Sequence, residues 1–196
     1  MKNIFLDCGT HLCEGLIQFY NNGIINDSFE IHTFEANPSC NIKERISQIP
    51  LDIKYYEVAV WTEDGEVEFS QENHSKSQSS SPTDGYSDVD GWGSSVSSLN
   101  STWKNKFREE NIKVKSINFS NFLNQFSKED NIICKMDIEG SEFPVLRKML
   151  KDNTVDRMDT LYIEWHDHLL PDENIDSKNE LLSELTKRNI KVINWH

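Results

Sequence analysis

The segment IICKMDIEGSE, residues 132–142, carries the side chains best suited to chemistry. Side chains alternate along a strand, so Lys135, Asp137 and Glu139 are predicted to share one side. A buried strand gains nothing in packing from three charges, because burying an unpaired charge is unfavourable. The pattern therefore predicts a polar pocket at the carboxyl end of this strand. A lysine–carboxylate pair that only caps the edge of the sheet is the alternative interpretation.

The segment TLYIEWHDH repeats this arrangement in a second strand. Glu164 and His166 are predicted to share one side and, if the two strands are neighbours, to meet Asp137 and Glu139. His166 could then act as a general base whose pKa the carboxylates hold near neutrality. Alternatively, the carboxylates and the imidazole could hold a divalent metal ion. A surface loop in which His166 and His168 have no such role is the third interpretation.

Two earlier strand ends indicate a nucleotide-like cofactor. Asp7 precedes a glycine-containing turn, and Glu35 in FEANP can accept hydrogen bonds from both hydroxyls of a ribose. A dinucleotide site requires Gly-x-Gly-x-x-Gly, in which the second glycine lets the backbone approach the pyrophosphate. Here His11 stands two residues after Gly9 and no Lys or Arg is nearby, so a cofactor without phosphate is favoured. Glu35 could instead be an exposed carboxylate beside a helix N-terminus.

The segment IKYYEVAVW predicts a third strand that bears on the same cofactor. It would place Glu57 and Ala59 near the edge where an adenine is expected. A buried strand would carry Val58, Val60 and Trp61 for core packing alone, so a purely structural role is the alternative.

These side chains can meet only if the elements that carry them form one sheet. Strands are predicted in NIFLDCG, FEIHTFEAN, IKYYEVAVW, IKVKSIN, IICKMDI, TLYIEWH and IKVINW. Helices are predicted in LCEGLIQFYNNG, after Asn37-Pro38, in SNFLNQF with Ser120 as its cap, in SEFPVLRKMLK and in NELLSELTKRN, and Asp64-Gly65 predicts a hairpin turn. This alternation predicts an α/β fold, with a mostly parallel sheet, helices on both faces and ligands beyond the carboxyl ends of the strands.

The composition changes between Gln71 and about Ser101, where Ser, Asp and Gly dominate and apolar residues are sparse. Because the pattern resumes afterwards, we expect an insertion within a single domain, residues 1–196, and not a linker between domains. Loops of this length are usually lids, binding loops or disordered segments. Tyr86, Trp92 and the SSVSS run could close over a substrate, and a floppy insertion is the alternative.

The charge balance narrows the class of partner. The 196 residues include 20 Lys+Arg and 33 Asp+Glu, a net charge of −13, which argues against binding to nucleic acid or to an anionic membrane surface. No apolar run approaches the roughly 20 residues of a membrane span, and MKNIFLDCG is too short for a secretory signal. The cysteines lack metal-binding spacing, which predicts free thiols in a reducing, cytoplasmic setting. They are Cys8, Cys13, Cys40 and Cys134.

The motifs FLDCGTHLCEG, FEANP, EVAVW, KMDIEGSEFPVL and YIEWH, in this order, resemble the FkbM-type family of S-adenosylmethionine-dependent methyltransferases over nearly the whole chain. KMDIEGSEFPVL is the most specific, because it is similar to the family's Lys-Ile-Asp-Val-Glu-Gly-x-Glu-x-x-x-Leu segment. The resemblance implies a Rossmann-like methyltransferase fold with a six- or seven-stranded sheet. It also implies S-adenosylmethionine as the cofactor.

The resemblance further implies where that cofactor lies. The methionine part would lie by Asp7, Gly9 and Asp137, and the ribose by Glu35. The predicted cofactor-binding residues all belong to the matching motifs: Asp7, Gly9, Thr10, Glu35, Ala36, Asn37, Ala59 and Asp137.

The resemblance implies methyl transfer to a hydroxyl of a small molecule or glycan, most often a sugar. The acceptor oxygen would attack the methyl carbon opposite the sulfonium sulfur, and Asp137 or His166 would take the proton. A bound divalent metal that acidifies the hydroxyl is the rival route. A dinucleotide-dependent oxidoreductase and a non-catalytic cofactor-binding module are the alternative functions.

The sequence departs from the family pattern at three places. Cys13 stands where the first loop usually has another glycine, and Ala36 stands where proline is usual. The chain also ends at Trp195-His196, without the final antiparallel strand of many relatives. We therefore expect either a domain of a larger multidomain protein or a sheet that closes differently.

Overall fold

The computed structural model describes residues 1–40, 42–72, 94–99 and 108–195, and this part of the chain alternates strands with helices. The strands are β1 (Asn3–Cys8), β2 (Phe29–Phe34), β3 (Ile53–Tyr56), β4 (Ala59–Trp61), β5 (Gly65–Glu72), β6 (Ser95–Val96), β7 (Arg108–Asn118), β8 (Asn131–Met136), β9 (Thr160–Ile163) and β10 (Lys191–Asn194). The α-helices are α1 (Glu14–Asn21), α2 (Ile42–Ile46), α3 (Phe119–Leu123), α4 (Glu142–Asp152) and α5 (Ile175–Lys187). Short 3-10 helices span Pro38–Cys40, Ser97–Leu99, Val155–Arg157 and Asp167–Leu169.

The central sheet has six strands in the order β10-β9-β8-β1-β2-β3, and every pairing in it is parallel. From β1, the next strands β2 and β3 extend the sheet on one side, whereas β8, β9 and β10 extend it on the other side. The direction in which strands are added therefore reverses between β1 and β8. In open α/β sheets, ligands bind in the crevice at such a switch point. Cys8 at the end of β1 pairs in register with Phe34 and with Met136, so three strands end at one level.

The two faces of the central sheet are covered by different helices. Alternation along β1 sends Ile4 and Leu6 into a core shared with α3, α4 and α5, and sends Phe5 into a core shared with α1 and α2. Phe143 and Leu146 of α4 are fully buried in the first core. The predicted α/β fold with a mostly parallel, doubly covered sheet is therefore confirmed.

A second sheet, in the order β4-β7-β5-β6, corrects two predictions. IKYYEVAVW is not one strand, because β3 ends at Tyr56 in the central sheet and β4 begins at Ala59 in the second sheet. Asp64-Gly65 joins β4 to β5 but does not form a hairpin, because β7 lies between those two strands. The carboxylate of Asp64 instead accepts the N–H of Asn118 at 2.9 Å, which ties the turn to the end of β7.

Two predicted helix starts also differ from the structure. Asn118 caps α3 by accepting the N–H of Asn121 at 3.0 Å, whereas Ser120, the predicted cap, lies inside the helix. The helix predicted after Asn37 is divided into the 3-10 turn Pro38–Cys40 and α2. Local capping chemistry is thus present at both sites, but the backbone uses a neighbouring residue or a tighter turn.

The predicted insertion falls mostly outside the described residues, and this includes Tyr86 and Trp92. Its SSVSS run is described in part as β6, which pairs antiparallel with β5 so that Val96 stands opposite Phe69. The hydroxyls of Ser70 and Ser97 lie 2.7 Å apart in this pairing. The SSVSS run therefore belongs to the edge of the second sheet, and its closure over a substrate stays a prediction. Among the described helices, none combines the length and apolar character needed to cross a bilayer.

Candidate functional site

The residues that follow the central strands are held together by backbone hydrogen bonds between neighbouring strand ends. Gly9 N–H donates to the Phe34 carbonyl at 3.0 Å, and Asp137 N–H donates to the Cys8 carbonyl at 3.0 Å. Glu164 N–H donates to the Met136 carbonyl, also at 3.0 Å. Parallel pairing thus continues one residue beyond each strand, and this brings the polar side chains after β1, β8 and β9 to one edge.

Lys135 is the buried centre of the first polar cluster. Its ammonium Nζ lies 3.6 Å from Asp7 Oδ1 and 3.2 Å from Asp137 Oδ2, and it donates to the Gly9 carbonyl at 2.6 Å. Burial lowers the pKa of Lys135, but the carboxylates of Asp137 and Asp7 outweigh this effect and raise the pKa above its usual value. The lysine–carboxylate pairing that we considered as an alternative to a pocket is therefore present, although Asp137 keeps 23% of its side chain exposed.

Asp7 is fully buried at the end of β1. Thr10 Oγ1 donates to Asp7 Oδ2 at 2.5 Å, whereas Asp7 Oδ1 has no hydrogen-bond donor among the described residues. Burial raises the pKa of Asp7, and Lys135 and the Thr10 hydroxyl oppose that rise. The two predicted cofactor-binding residues Asp7 and Thr10 are thus in direct contact, with one buried carboxylate oxygen left without a donor.

Glu35 is held by two backbone N–H groups. Asn37 N–H donates to Oε1 at 2.7 Å, and His11 N–H donates to Oε2 at 2.9 Å. Burial raises the pKa of Glu35, and the two N–H groups lower it. Each carboxylate oxygen retains a free lone pair, so the group can still accept one hydrogen bond on either oxygen.

The alanines predicted to contact the cofactor lie in one small apolar cluster. Ala59 is buried in β4 with Phe69 and Val114, and the partly buried Ala36 packs against this group. Ala36 directly follows Glu35 in the chain, so the cluster begins next to the carboxylate. Because the predicted third strand is two strands, Ala59 belongs to the second sheet. It still packs beside Ala36 of the predicted cofactor-binding motif FEANP.

The second polar cluster surrounds His166. Its Nε2 lies 4.0 Å from Asp137 Oδ1, 3.7 Å from Glu139 Oε2 and 3.8 Å from Glu164 Oε1. The four residues predicted to converge are therefore together. The reason differs from the prediction, since β8 ends at Met136 and Glu139 turns toward His166 in a left-handed conformation with φ +54°.

Glu142 organises this cluster, and the sequence did not single it out. Its fully buried carboxylate accepts the N–H of Ile138 at 2.7 Å, the N–H of Gly140 at 2.8 Å and a hydrogen bond from His166 Nδ1 at 3.1 Å. A carboxylate that accepts two N–H groups favours the proton on Nδ1, so we assign it there. The available signal was a third acidic residue in DIEGSE, which is equally typical of the first turn of a helix.

The electrostatics of the second cluster differ from the prediction for His166. Burial lowers the pKa of His166, but Glu142, Glu139 and Asp137 together raise it to about 10 and not to a value near neutrality. Burial raises the pKa of Glu139 to about 7, with His166 opposing and the neighbouring carboxylates adding to the rise. The imidazole of the protein alone therefore holds a proton at neutral pH. Asp137, Glu139 and His166 each offer a donor atom within 4.8 Å of the others, a spacing that a metal ion could bridge.

A groove of about 320 Å³ lies elsewhere, along α1. Its lining includes Leu12, Ile17, Tyr20 and Ile49 and contains no acidic side chain. The acidic side chains at the strand ends therefore do not line this groove, and we place the candidate site at the two polar clusters.

The comparisons with known proteins identify the family and support the fold. The sequence model of the methyltransferase FkbM domain matches residues 7–191. The crystal structure of Methyltransferase FkbM from Methylobacillus flagellatus KT superposes with a TM-score of 0.51 at 16% identity, over 93% of this chain and 37% of that chain. A search of the curated proteins found no match.

The structural likeness supports the fold alone, whereas the family match covers the motifs at the ends of β1, β2, β8 and β9. This chain spans little more than a third of the length of the solved relative. Because the family match extends over nearly all of the chain, this protein belongs to the FkbM methyltransferase domain family.

Proposed function

We propose that the protein is an S-adenosylmethionine-dependent O-methyltransferase that acts on a hydroxyl of a small molecule or glycan, and on a sugar in particular. One observation carries the proposal. Asp7 lies at the end of β1, and Glu35 and Asp137 directly follow the adjacent strands β2 and β8, at the switch point of the sheet in a chain of a methyltransferase family. This is where a sheet of this topology binds its cofactor.

The state of Glu35 supports a role in ribose binding. Two backbone N–H groups hold its carboxylate in place at 2.7 and 2.9 Å, and both oxygens keep a free lone pair. A preorganised pair of acceptors suits two vicinal hydroxyls, because little side-chain entropy is lost when they bind. The apolar cluster of Ala36 and Ala59 next to Glu35 supports an adenine neighbour.

The charges of the first cluster suit the remainder of the cofactor. S-adenosylmethionine carries a sulfonium and an ammonium group, and the buried Oδ1 of Asp7 lacks a hydrogen-bond donor among the described residues. Asp7 and Asp137 bring two negative charges, and Lys135 compensates for one of them. Asp7, Gly9, Thr10 and Asp137 would therefore hold the methionine part, as the resemblance implies.

The side chains of the protein itself would take up the proton and align the reactants. When bound, S-adenosylmethionine supplies an electrophilic methyl group. A hydroxyl is a poor nucleophile at neutral pH, so a group of the protein must take its proton during attack. Asp137 is the better base, because its carboxylate is partly exposed, whereas His166, with its pKa raised to about 10, already holds a proton. Orientation of the reactants can contribute about 7–11 kcal/mol to such a reaction.

Calorimetry with S-adenosylhomocysteine and with NADH tests the cofactor class. We expect S-adenosylhomocysteine to bind and NADH not to bind, because the close-approach glycine of dinucleotide sites is replaced by His11. Binding of NADH without S-adenosylhomocysteine would favour the alternative, a dinucleotide-dependent oxidoreductase.

Methyl release from S-adenosylmethionine over a panel of sugars tests catalysis. We expect turnover with at least one sugar, and we expect Asp137→Ala to lose it while the domain stays folded. Asp27→Ala, a change of the same kind at an exposed position, is the matched control. Full activity of Asp137→Ala would remove Asp137 from the site, and cofactor binding without turnover on any acceptor would favour the non-catalytic binding module.

The acceptor and the compartment are proposed on general properties of the chain. A net charge of −13 supports a small-molecule or carbohydrate acceptor over nucleic acid or an anionic membrane. All four cysteines are free and buried, which supports a reducing, cytoplasmic setting.

A further inference from the structure

The carboxylates around His166 and Lys135 outnumber the cations that the described part of the chain places beside them. Asp7, Asp137, Glu139, Glu142 and Glu164 are the five acidic side chains of the two clusters. Among the described residues, Lys135 and His166 are the basic side chains within 4.0 Å of them. Buried or half-buried carboxylates are stable when they are paired, when they are protonated or when they coordinate a metal ion, so this excess can accommodate a further cation.

His166 is aimed into this excess and lacks a hydrogen bond on that side. Its side chain is 7% exposed, its Nδ1 is engaged by Glu142 at 3.1 Å, and its Nε2 faces Asp137, Glu139 and Glu164. The three separations from Nε2 are 3.7, 3.8 and 4.0 Å, which are too long for hydrogen bonds. A direct pair of an imidazolium and a carboxylate would instead close to about 2.7–2.9 Å.

These separations are those of ligands that share one ion. Nitrogen and oxygen ligands bind a divalent transition metal at about 2.1 Å, so two ligands of one ion stand at most about 4.2 Å apart. All three distances from Nε2 are below that limit, and the donor atoms of Asp137, Glu139 and His166 lie within 4.8 Å of one another, so small side-chain movements would let them share one ion. Glu142 also provides the outer carboxylate that metal-bound histidines usually have, since its bond to Nδ1 aims Nε2 at the site, where a metal ion would take the place of the Nε2 proton.

We infer that Asp137, Glu139 and His166, with Glu164 at the rim, form a binding site for one divalent metal ion. Carboxylates suit Mg²⁺ and Mn²⁺ and an imidazole suits transition metals, so this mixed set best matches Mn²⁺. The inference does not depend on the proposed function, because the ligands are all side chains of this chain. In a methyltransferase, an ion at this place would acidify the acceptor hydroxyl, and Asp137 would act as its ligand and not as a free base.

Electron paramagnetic resonance titration of the full chain with Mn²⁺ alone tests the site. We expect one Mn²⁺ per chain, and we expect Glu139→Gln and His166→Gln to weaken binding by at least about tenfold, the lower limit for loss of an outer partner. Glu44→Gln, the same chemical change on the exposed side of α2, should bind as the wild type does. Binding by Glu139→Gln equal to that of the wild type, or the absence of stoichiometric binding by the wild type, would overturn the inference.

Thermal melting of each variant shows whether it is still folded. His166 is buried, so His166→Gln could lose its fold. Glu139 is partly exposed, so if His166→Gln is unfolded, the Mn²⁺ affinity of Glu139→Gln alone tests the metal site. The same samples are titrated with S-adenosylhomocysteine. Wild-type protein that binds S-adenosylhomocysteine but not Mn²⁺ would overturn the metal site and leave the proposed function standing. Binding of Mn²⁺ without S-adenosylhomocysteine would do the reverse.

Discussion

Gly9 and Asp137 lie in backbone contact across the ends of β1 and β8. A Cβ atom at position 9 would stand 1.8 Å from the carbonyl oxygen of Asp137, and Gly9 has φ +76°. The glycine is thus required by the approach of two strand ends. It lets the turn after β1 pass directly against the backbone of Asp137, while Asp7 pairs in register with Lys135, and so the geometry of the candidate site depends on it.

Gly9→Ala is expected to disrupt the domain. The left-handed conformation alone costs about 1–2 kcal/mol for a residue with a Cβ, and the clash is with backbone that cannot rotate away. Gly23→Ala is the matched control, because Gly23 has φ +68° but no atom within 4 Å of its Cβ position. Urea denaturation should show a loss for Gly9→Ala that exceeds the loss for Gly23→Ala by more than about 1 kcal/mol. Equal losses would contradict the close approach.

Lys135→Met is expected to destabilise the fold strongly. The variant leaves the carboxylates of Asp7 and Asp137 without their shared cation, and breaking a buried ion pair in this way costs about 3–5 kcal/mol. The exposed Lys191→Met is the control and should change the free energy of unfolding by no more than about 0.5 kcal/mol. A loss below about 1 kcal/mol for Lys135→Met would show that the pair is not essential.

Glu35→Gln is expected to weaken binding of S-adenosylhomocysteine. Hydrogen bonds to a charged acceptor contribute about 1.5–3 kcal/mol, so the dissociation constant measured by calorimetry should rise about 10- to 100-fold. Glu44→Gln, the same chemical change at an exposed position of α2, is the control and should leave the dissociation constant unchanged. An unchanged dissociation constant for Glu35→Gln would place the ribose elsewhere.

Glu30 is expected to contribute to stability in a defined range of pH. The Lys54 and Lys2 ammonium groups lower its pKa from 4.5 to about 2. A lowered pKa in the folded state stabilises the protein above the unfolded value of 4.5, and this contribution is lost as the pH falls toward about 2.

Comparison of Glu30→Gln with the wild type measures that contribution. The variant should be less stable near pH 6 by up to about 1 kcal/mol, because both lysines are largely exposed and water screens the pairs. The difference in the free energy of unfolding between the wild type and Glu30→Gln should shrink as the pH falls from 4.5 to about 2. A difference that stays constant over this range would mean that Glu30 is not ion-paired in solution.

The sequence alone was sufficient for the order of the central elements and for bringing the candidate site residues to one edge of the sheet. Alternating apolar strands and amphipathic helices impose the parallel sheet, because each helix must bury its apolar face against it. The motif order likewise identified Asp7, Glu35, Asp137 and His166 as neighbours of the strand ends. These are local properties, since they depend on periodicity and on residues close in the chain.

The tertiary structure alone decided how distant segments meet. β7 enters between β4 and β5 and prevents the hairpin that Asp64-Gly65 predicts, because pairing with a longer strand satisfies more backbone groups. Glu142 reaches His166 only because α4 begins beside the end of β9, and that contact sets the tautomer and the charge of the cluster. The direction of a pKa shift depends on burial and on charges that are close in space, and neither quantity can be obtained from spacing along the chain.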